Sequence, residues 1–538
     1  MRSHASLARA AATALLAVGC ALGSCALADA PRTLVFCSEG DPVGLQPALQ
    51  TDGTSFDASS RTIYDRLLDF RPGTAELVPA LATAWQVSAD GLVYTLQLRR
   101  DVPFQRNFGF QPTRAFDADD VVFTFARMAD SGHPYHAVSG GNYPYYASMD
   151  LPRLLRAVSR VDDHTVRFEL TRPNATFLSD LTMDFASIVS AEYAAWLQRE
   201  RRMQDFDLKP VGTGPFELVA YQPGSQLRFR AFARHWRGRP AIDHLVFAIT
   251  PDASVRWARL RAGECQLMAQ PNPADLRAIH AAPGIKVQRK PGMNVAYLAF
   301  NTERGPLRDR RVRRALALAL DRDALVRAIY QGGAVTARGP LPPTLWAHDP
   351  LLALPRHDPD AARHLLAEAG YRQGFALTLW AFPISRPYLP AARRMAEMIQ
   401  AAWARVGVRA RIVSYEWGEY LRRVGRGEHD AALMGWSGDN GDPDNFLGTL
   451  LSCSGVHTPQ NPAQYCNRAY DDLIAAALAT TDQAARRRFY LQAQQRFADD
   501  LPWLPLAHAE VVVPMSARVH DYVIPVIDVH AFGGVRID

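Results

Sequence analysis

The chain has 538 residues, 48% apolar and 21% charged, an ordinary globular composition. At this length several large cores can be buried, so disulfides are not needed merely to fold it. The formal charge of +6 is an arginine charge, since Lys209, Lys286 and Lys290 are the only lysines; without aromatic interleaving or a recognised binding motif it gives no nucleic-acid partner.

The first 28 residues read as an export signal. Arg2 and Arg9 precede the apolar stretch AAATALLAVGCALG, and Ala26-Leu27-Ala28 fits a cleavage site ahead of Asp29. Leu22-Gly23-Ser24-Cys25 also fits a lipoprotein box, so a lipid anchor on Cys25 is the alternative to soluble export. No later apolar run reaches the length of a spanning helix. Export implies an oxidising compartment, where Cys37, Cys265, Cys453 and Cys466 are expected to form two disulfides. Three connectivities are open. Pairing Cys453 with Cys466 closes a short loop rich in Gly, Pro and Asn, worth roughly 3 kcal/mol in the chain-entropy model. It leaves Cys37 and Cys265 as a long-range clamp. No C-x-x-C or nearby histidine pair favours a metal site.

Residues 33–37 (TLVFC) read as a buried strand, followed by a polar loop with Gly40, Gly44 and Gly53 and a helix-like segment over 59–70. Residues 92–99 alternate as a strand after the Asp90-Gly91 turn signal. At Asp117 the period changes: Asp117 suits an N-cap, Asp119 and Asp120 suit the helix dipole, and Val121, Val122, Phe125 and Met128 form an apolar stripe. Strands return at 165–170 and 216–221. The run Arg308, Arg310, Arg311, Arg313 and Arg314 reads as a solvated helix face. Two near-continuous apolar stretches, 294–301 and 501–515, look like crossings between two lobes, as hinge closure requires. A helix over 391–405 carries Met395, Met398, Ile399 and Trp403 as core; Gly407 ends it, and a strand follows over 408–415.

Reactive constellations are missing from the sequence: there is no G-x-x-x-x-G-K-[ST], no H-E-x-x-H and no G-x-S-x-G. VGTGP at 211–215 lacks the helix pattern of a phosphate loop, and His235, His357 and His508 are isolated. Two features stand out. GDNGDPDN at 438–445 misses the calcium-loop spacing, leaving Asx-turn chemistry or a carboxylate facing a ligand cation. Arg386 precedes Pro387 just ahead of a helix, a rigid mount for a guanidinium fork that can grip a carboxylate.

These residues carry a family resemblance. LVFCSEGDPVGLQP (34–47), DADDVVFTFAR (117–127), VGTGPF (211–216) and TPDASVRWARLRAGECQ (250–266) resemble the peptide-binding family of ABC-importer solute-binding proteins, as do RPY (386–388), ARRMAEMIQ (392–400), YEWGEYL (415–421) and MGWSGDNGDPDNF (434–446). The resemblance covers essentially the whole mature chain. It implies an α/β, two-lobed periplasmic-binding-protein fold of the hinge-closing type II, with an extra subdomain inserted in the first lobe. The implied division is a signal peptide over 1–28, first lobe over 29–68 and 220–293, inserted subdomain over 69–219, second lobe over 294–509, and a return to the first lobe over 510–538. The same two disulfides are implied. By resemblance to the family's dipeptide-binding members, Asp439 would take the ligand's ammonium and Arg386 its carboxylate. Tyr388, Trp436 and Gly438 would line the pocket, and Thr51 and Gly53 would meet the ligand's main chain. The loop TDGTSF departs somewhat from the family pattern, which leaves Thr51 the least secure.

A dipeptide zwitterion separates its two charges by roughly 7 Å, and one more residue adds roughly 3.5 Å, so one aspartate and one arginine at fixed positions measure length. The implied role is a periplasmic, monomeric binding component that hands dipeptides to membrane ABC permease subunits, without cofactor, metal or catalysis. Haem, glutathione or longer peptides are the alternative ligands within the family, and an exported peptidase is the alternative of another class.

Overall fold

The computed structural model describes residues 31–527 and 529–538. The expected signal segment and Cys25 lie outside the described residues. No helix among the described residues is long and apolar enough to cross a membrane.

One strand organises the architecture. Trp503–Ser516 runs for 14 residues and is buried along most of its length, as a strand covered on both faces must be. Its first half pairs antiparallel with Asn294–Phe300 and Ala334–Thr336, its second half with Ile285–Pro291 and Leu267–Met268. It thereby joins strands from both halves of the molecule into one 12-stranded sheet. From one edge the order is Val408–Val413, Phe375–Trp380, Ala431–Ser437, Asn294–Phe300, Trp503–Ser516, Leu267–Met268, Thr33–Ser38, His244–Ile249, Gln226–Ala231 and Phe216–Gln222.

The apolar side chains nevertheless gather into two large cores. Leu34, Phe36, Phe247, Val513, Met515 and Phe532 belong to one; Val295, Tyr297, Leu379, Met395, Trp403 and Trp503 belong to the other. Membership changes at Met293 on one crossing and between Ala509 and Val511 on the shared strand. The result is a two-lobed α/β fold with adjacent crossings. Asn294 ties them together: its Nδ2 donates to Ala509 O at 3.0 Å, its Oδ1 accepts from Ala509 N at 2.8 Å, and its carbonyl accepts from His508 Nδ1 at 2.7 Å. Burial pushes His508 down to about 4, so at neutral pH it serves this joint as a neutral donor.

A separate antiparallel four-stranded sheet has the order Ala82–Val87, Val93–Leu98, Thr165–Leu170, Leu155–Asp162, and its buried side chains join the first of the two cores. The helix Ala118–Ala129 packs on it through the edge contact of Phe125 with Phe168. Asp117 caps this helix with Asp120 in a reciprocal capping box. Gly407, at φ 87°, ends the helix Ala392–Ala404 region as a left-handed glycine before Val408–Val413. Cys37 pairs with Cys265, and Cys453 with Cys466.

Two readings of the sequence need correction. The segment 59–70 is not a helix: the helix is Gly53–Ala58, and after a series of turns Leu68–Phe70 is a strand. Its hydrophobic spacing reflects burial on every side, with the Ile63 carbonyl accepting from Gly214 N at 2.8 Å and Thr62 O accepting from Phe216 N at 3.0 Å. The glycines of VGTGP exist for this approach, since a Cβ on Gly212 would lie 2.2 Å from Ile63 O. The arginine run on Arg310–Leu318 is not wholly a solvated face either. Arg313 is buried and donates to the carbonyls of Leu307, Arg308, Asp500 and Leu501.

Candidate functional site

Three chain segments converge on a cavity of about 550 Å3. The first begins where the strand Phe375–Trp380 ends. Arg386 N donates to Leu389 O at 3.2 Å and Leu389 N to Arg386 O at 3.0 Å, closing a tight turn around Pro387 just before the next helix. Tyr388 is buried, and its carbonyl accepts from Tyr330 Oη at 2.6 Å. The turn is pressed onto the strand Ala431–Ser437 so closely that a Cβ on Gly435 would meet the Tyr388 ring at 2.1 Å. The guanidinium of Arg386 is 4.9 Å from the Trp417 ring and 5.9 Å from that of Tyr388, within cation–π range of both. Its Nε is shut off from solvent with no hydrogen-bond partner.

The second segment is the loop after Ala431–Ser437. Asn445 braces it by accepting on Oδ1 from both Trp436 Nε1 at 2.9 Å and Asp439 N at 3.0 Å. Asp439 Oδ1 accepts from Tyr145 Oη at 2.9 Å, and Oδ2 is buried without a partner. Burial pushes the Asp439 carboxyl up to about 7; Asp184 pushes the same way, and the Tyr145 hydrogen bond works against them. The third segment is the turn into Gly53–Ala58, where Asp52 caps the helix by accepting from Ser55 N at 2.8 Å. Thr51 and Gly53 flank that cap and line the cavity.

Arg386, Tyr388, Trp436, Asp439, Thr51 and Gly53 thus all face one cavity. Gly438 does not line it. It is a packing glycine: its N donates to Met293 O at 2.7 Å, and a Cβ there would meet Met293 Sδ and Phe446 Cε2 at 2.8 Å. Sequence reasoning missed Tyr145, Asn445 and Trp417. Tyr145 belongs to an aromatic run after Gly140-Gly141 that has no periodic signal, and Asn445 closes an acidic loop whose sequence shows turn chemistry but not which side chain braces it.

The cleft is closed. On the side away from the crossings, Asn440 Nδ2 donates to Asp180 Oδ1 at 2.8 Å and Ala175 N donates to Leu478 O at 2.9 Å, in addition to the Tyr145–Asp439 bond. Burial also pushes Asp180 up to about 7, against its hydrogen bonds from Asn440 and Thr176. Among the described residues no group of three or more His, Cys, Asp or Glu side chains could hold a metal ion. Two opposite charges on the lining of one cavity can bind a zwitterion at both of its ends.

Comparison with known proteins gives a consistent result. The family described as "Bacterial extracellular solute-binding proteins, family 5 Middle" matches residues 76–458. The chain is 49% identical over 507 residues to the dipeptide-binding protein of Escherichia coli K12, covering 94% of this chain and 95% of the relative. It is 45% identical over 507 residues to heme-binding protein A of Haemophilus influenzae, covering 94% and 92%. Among solved structures, the dipeptide-binding protein of Pseudoalteromonas sp. SM9913 in complex with Met-Leu superposes with a TM-score of 0.85 at 40% identity, covering 94% and 100%.

Proposed function

The chain belongs to the bacterial extracellular solute-binding proteins of family 5, and on that footing we propose that it captures dipeptides by their two charged termini and delivers them to the membrane permease of an ABC importer. It works outside the cytoplasmic membrane as a binding protein, not an enzyme. Asp439 receives the ammonium and Arg386 the carboxylate, while Thr51 and Gly53 meet the main chain and Tyr388 and Trp436 wall the side chains. The observation that carries this reading is that Asp439 and Arg386 line one cavity of about 550 Å3 and that each keeps a buried polar atom without a partner, Oδ2 and Nε. A buried polar atom without a partner is costly in the empty protein, and a zwitterion satisfies both at once. The cavity volume is within the usual range for small-ligand sites.

The lobe boundaries at 293/294 and 509/510 are part of the proposal, supported by the change of core at Met293 and after Ala509. The protein acts as a monomer. Ligand drives closure only through its higher affinity for the closed state, and Asp439 supplies that difference because its charge is stranded until an ammonium arrives. Identity to the Haemophilus haem-binding relative favours haem as the second reading.

Calorimetric titration with Ala-Ala, glutathione and haemin tests the choice. One-to-one binding of Ala-Ala, not displaced by the other two, is expected. Haemin binding with no heat from Ala-Ala overturns the dipeptide reading.

A further inference from the structure

A larger cavity of about 770 Å3 adjoins the first, and the two share Glu39, Gln270, Ser385, Arg386 and Pro387. The second cavity therefore opens at the carboxylate end of the proposed ligand, on the far side of Arg386 from Asp439. Its charged lining is Glu39, Asp252 and Glu510 against Arg256, Arg386 and Arg394.

Most of these charges are spent. Asp252 caps a helix by accepting from Val255 N at 2.9 Å, and Glu510 pairs with Arg289. Arg256 donates to the carbonyls of Thr250, Pro251, Ala269 and Gln270 at 2.8–3.0 Å, which fixes the loop behind the cavity. Arg394 stands exposed at the rim, where solvent screens it. Glu39 is different. Its Oε1 accepts one long bond, 3.3 Å, from Gln270 Nε2, and its Oε2 is buried with no partner. Burial raises its pKa and Asp52 adds to this; a hydrogen bond from its own backbone N–H and the cations Arg256 and Arg386 oppose it.

We propose that Glu39 is a specificity-determining residue that favours dipeptides whose second side chain is cationic, lysine or arginine. The inference rests on the orientation given above, with the ligand carboxylate on Arg386. Once that carboxylate engages Arg386, the guanidinium no longer compensates Glu39, and the remaining cation near it, Arg256, is committed to four carbonyls. The second side chain starts one bond from the ligand carboxylate. A lysine or arginine there can reach the shared wall and give Glu39 Oε2 a charge-assisted partner, whereas a glutamate would face a like charge. The first side chain, rooted at the Asp439 end, gains nothing from Glu39.

The test is calorimetry of the unsubstituted protein and of Glu39→Gln with Ala-Lys, Ala-norleucine, Ala-Glu, Lys-Ala and Ala-Ala. In the unsubstituted protein Ala-Lys is expected to bind about tenfold tighter than Ala-norleucine, and Ala-Glu weakest. Glu39→Gln reduces the advantage of Ala-Lys over Ala-norleucine to within about twofold, while Ala-Ala, Lys-Ala and Ala-norleucine shift together by a common factor, because losing the Glu39 charge frees Arg386 for every ligand carboxylate. Equal affinities for Ala-Lys and Ala-norleucine in the unsubstituted protein overturn the proposal without any variant. A preference for Ala-Glu overturns it in favour of Arg394, and a preference that survives Glu39→Gln overturns it as well. Absence of binding for all five peptides instead overturns the dipeptide reading beneath it.

Discussion

Lowering the pH should close the empty cleft. In the closed form burial holds the Asp439 carboxyl at about 7, against an ordinary 3.8 when solvated in the open form. The closed state therefore binds protons more tightly and gains on the open state as pH falls through that window. Linkage between these two values puts the cost of closing over an empty Asp439 at about 4 kcal/mol at pH 8 and about 2 kcal/mol at pH 5. The closed-to-open ratio should rise by roughly 50- to 100-fold between pH 8 and pH 5 from this residue alone. Asp180, also held at about 7 and bonded across the cleft to Asn440, acts with the same sign. Single-molecule energy transfer between one dye on each lobe reads the ratio directly. The Asp180→Asn Asp439→Asn double variant should lose most of the response over the same range, Glu39 being the remaining buried carboxyl of the cleft with a raised pKa. A ratio unmoved by pH in the unsubstituted protein refutes the reasoning, as does a response that persists intact in the double variant.

Tyr145→Phe removes a hydrogen bond to a charged group across the cleft and should weaken dipeptide binding by about 1.5–3 kcal/mol, seen in surface plasmon resonance as faster dissociation with little change in association. Gly435→Ala drives a Cβ into the Tyr388 ring and should displace the Arg386 turn, costing about 1–3 kcal/mol of stability in denaturant melts and most of the affinity. Replacing Cys453 and Cys466 by serine should lower stability by about 3 kcal/mol. It should also weaken binding, because the loop they close contributes Pro459 and Gln460 to the cavity; calorimetry showing unchanged affinity would separate the loop from the site.

Much of this was legible because local chemistry and tertiary structure agreed. Asp117, Asp119 and Asp120 cap and complement a helix whichever fold surrounds it, and Gly407 stops the next one for the same local reason. The long apolar runs over 294–301 and 501–515 were legible as strands because strands covered on both faces carry no alternation. Arg386 and Asp439 stood out as charges on unusually rigid or turn-rich backbone. The segment 59–70 failed because its apolar residues are buried by distant neighbours, Gly212 and Gly214 among them, so its spacing carried no helical meaning. Gly438 was drawn into the pocket by its neighbours in the motif, yet the absence of a side chain there serves Met293 and Phe446. Tyr145 and Glu39 lie far away in sequence, and only the packed cleft brings the Tyr145 hydroxyl onto Asp439 and Glu39 into the cavity lined by Arg386.

The proposed selectivity depends on fixed opposite charges gauging a bound peptide from end to end. A crystal structure of the protein with Ala-Phe is the direct test. The account predicts the peptide nitrogen terminus within about 3 Å of Asp439 Oδ2 and the carboxylate on the Arg386 guanidinium. A peptide lying in the reverse direction, or held elsewhere with both groups disengaged, would contradict it.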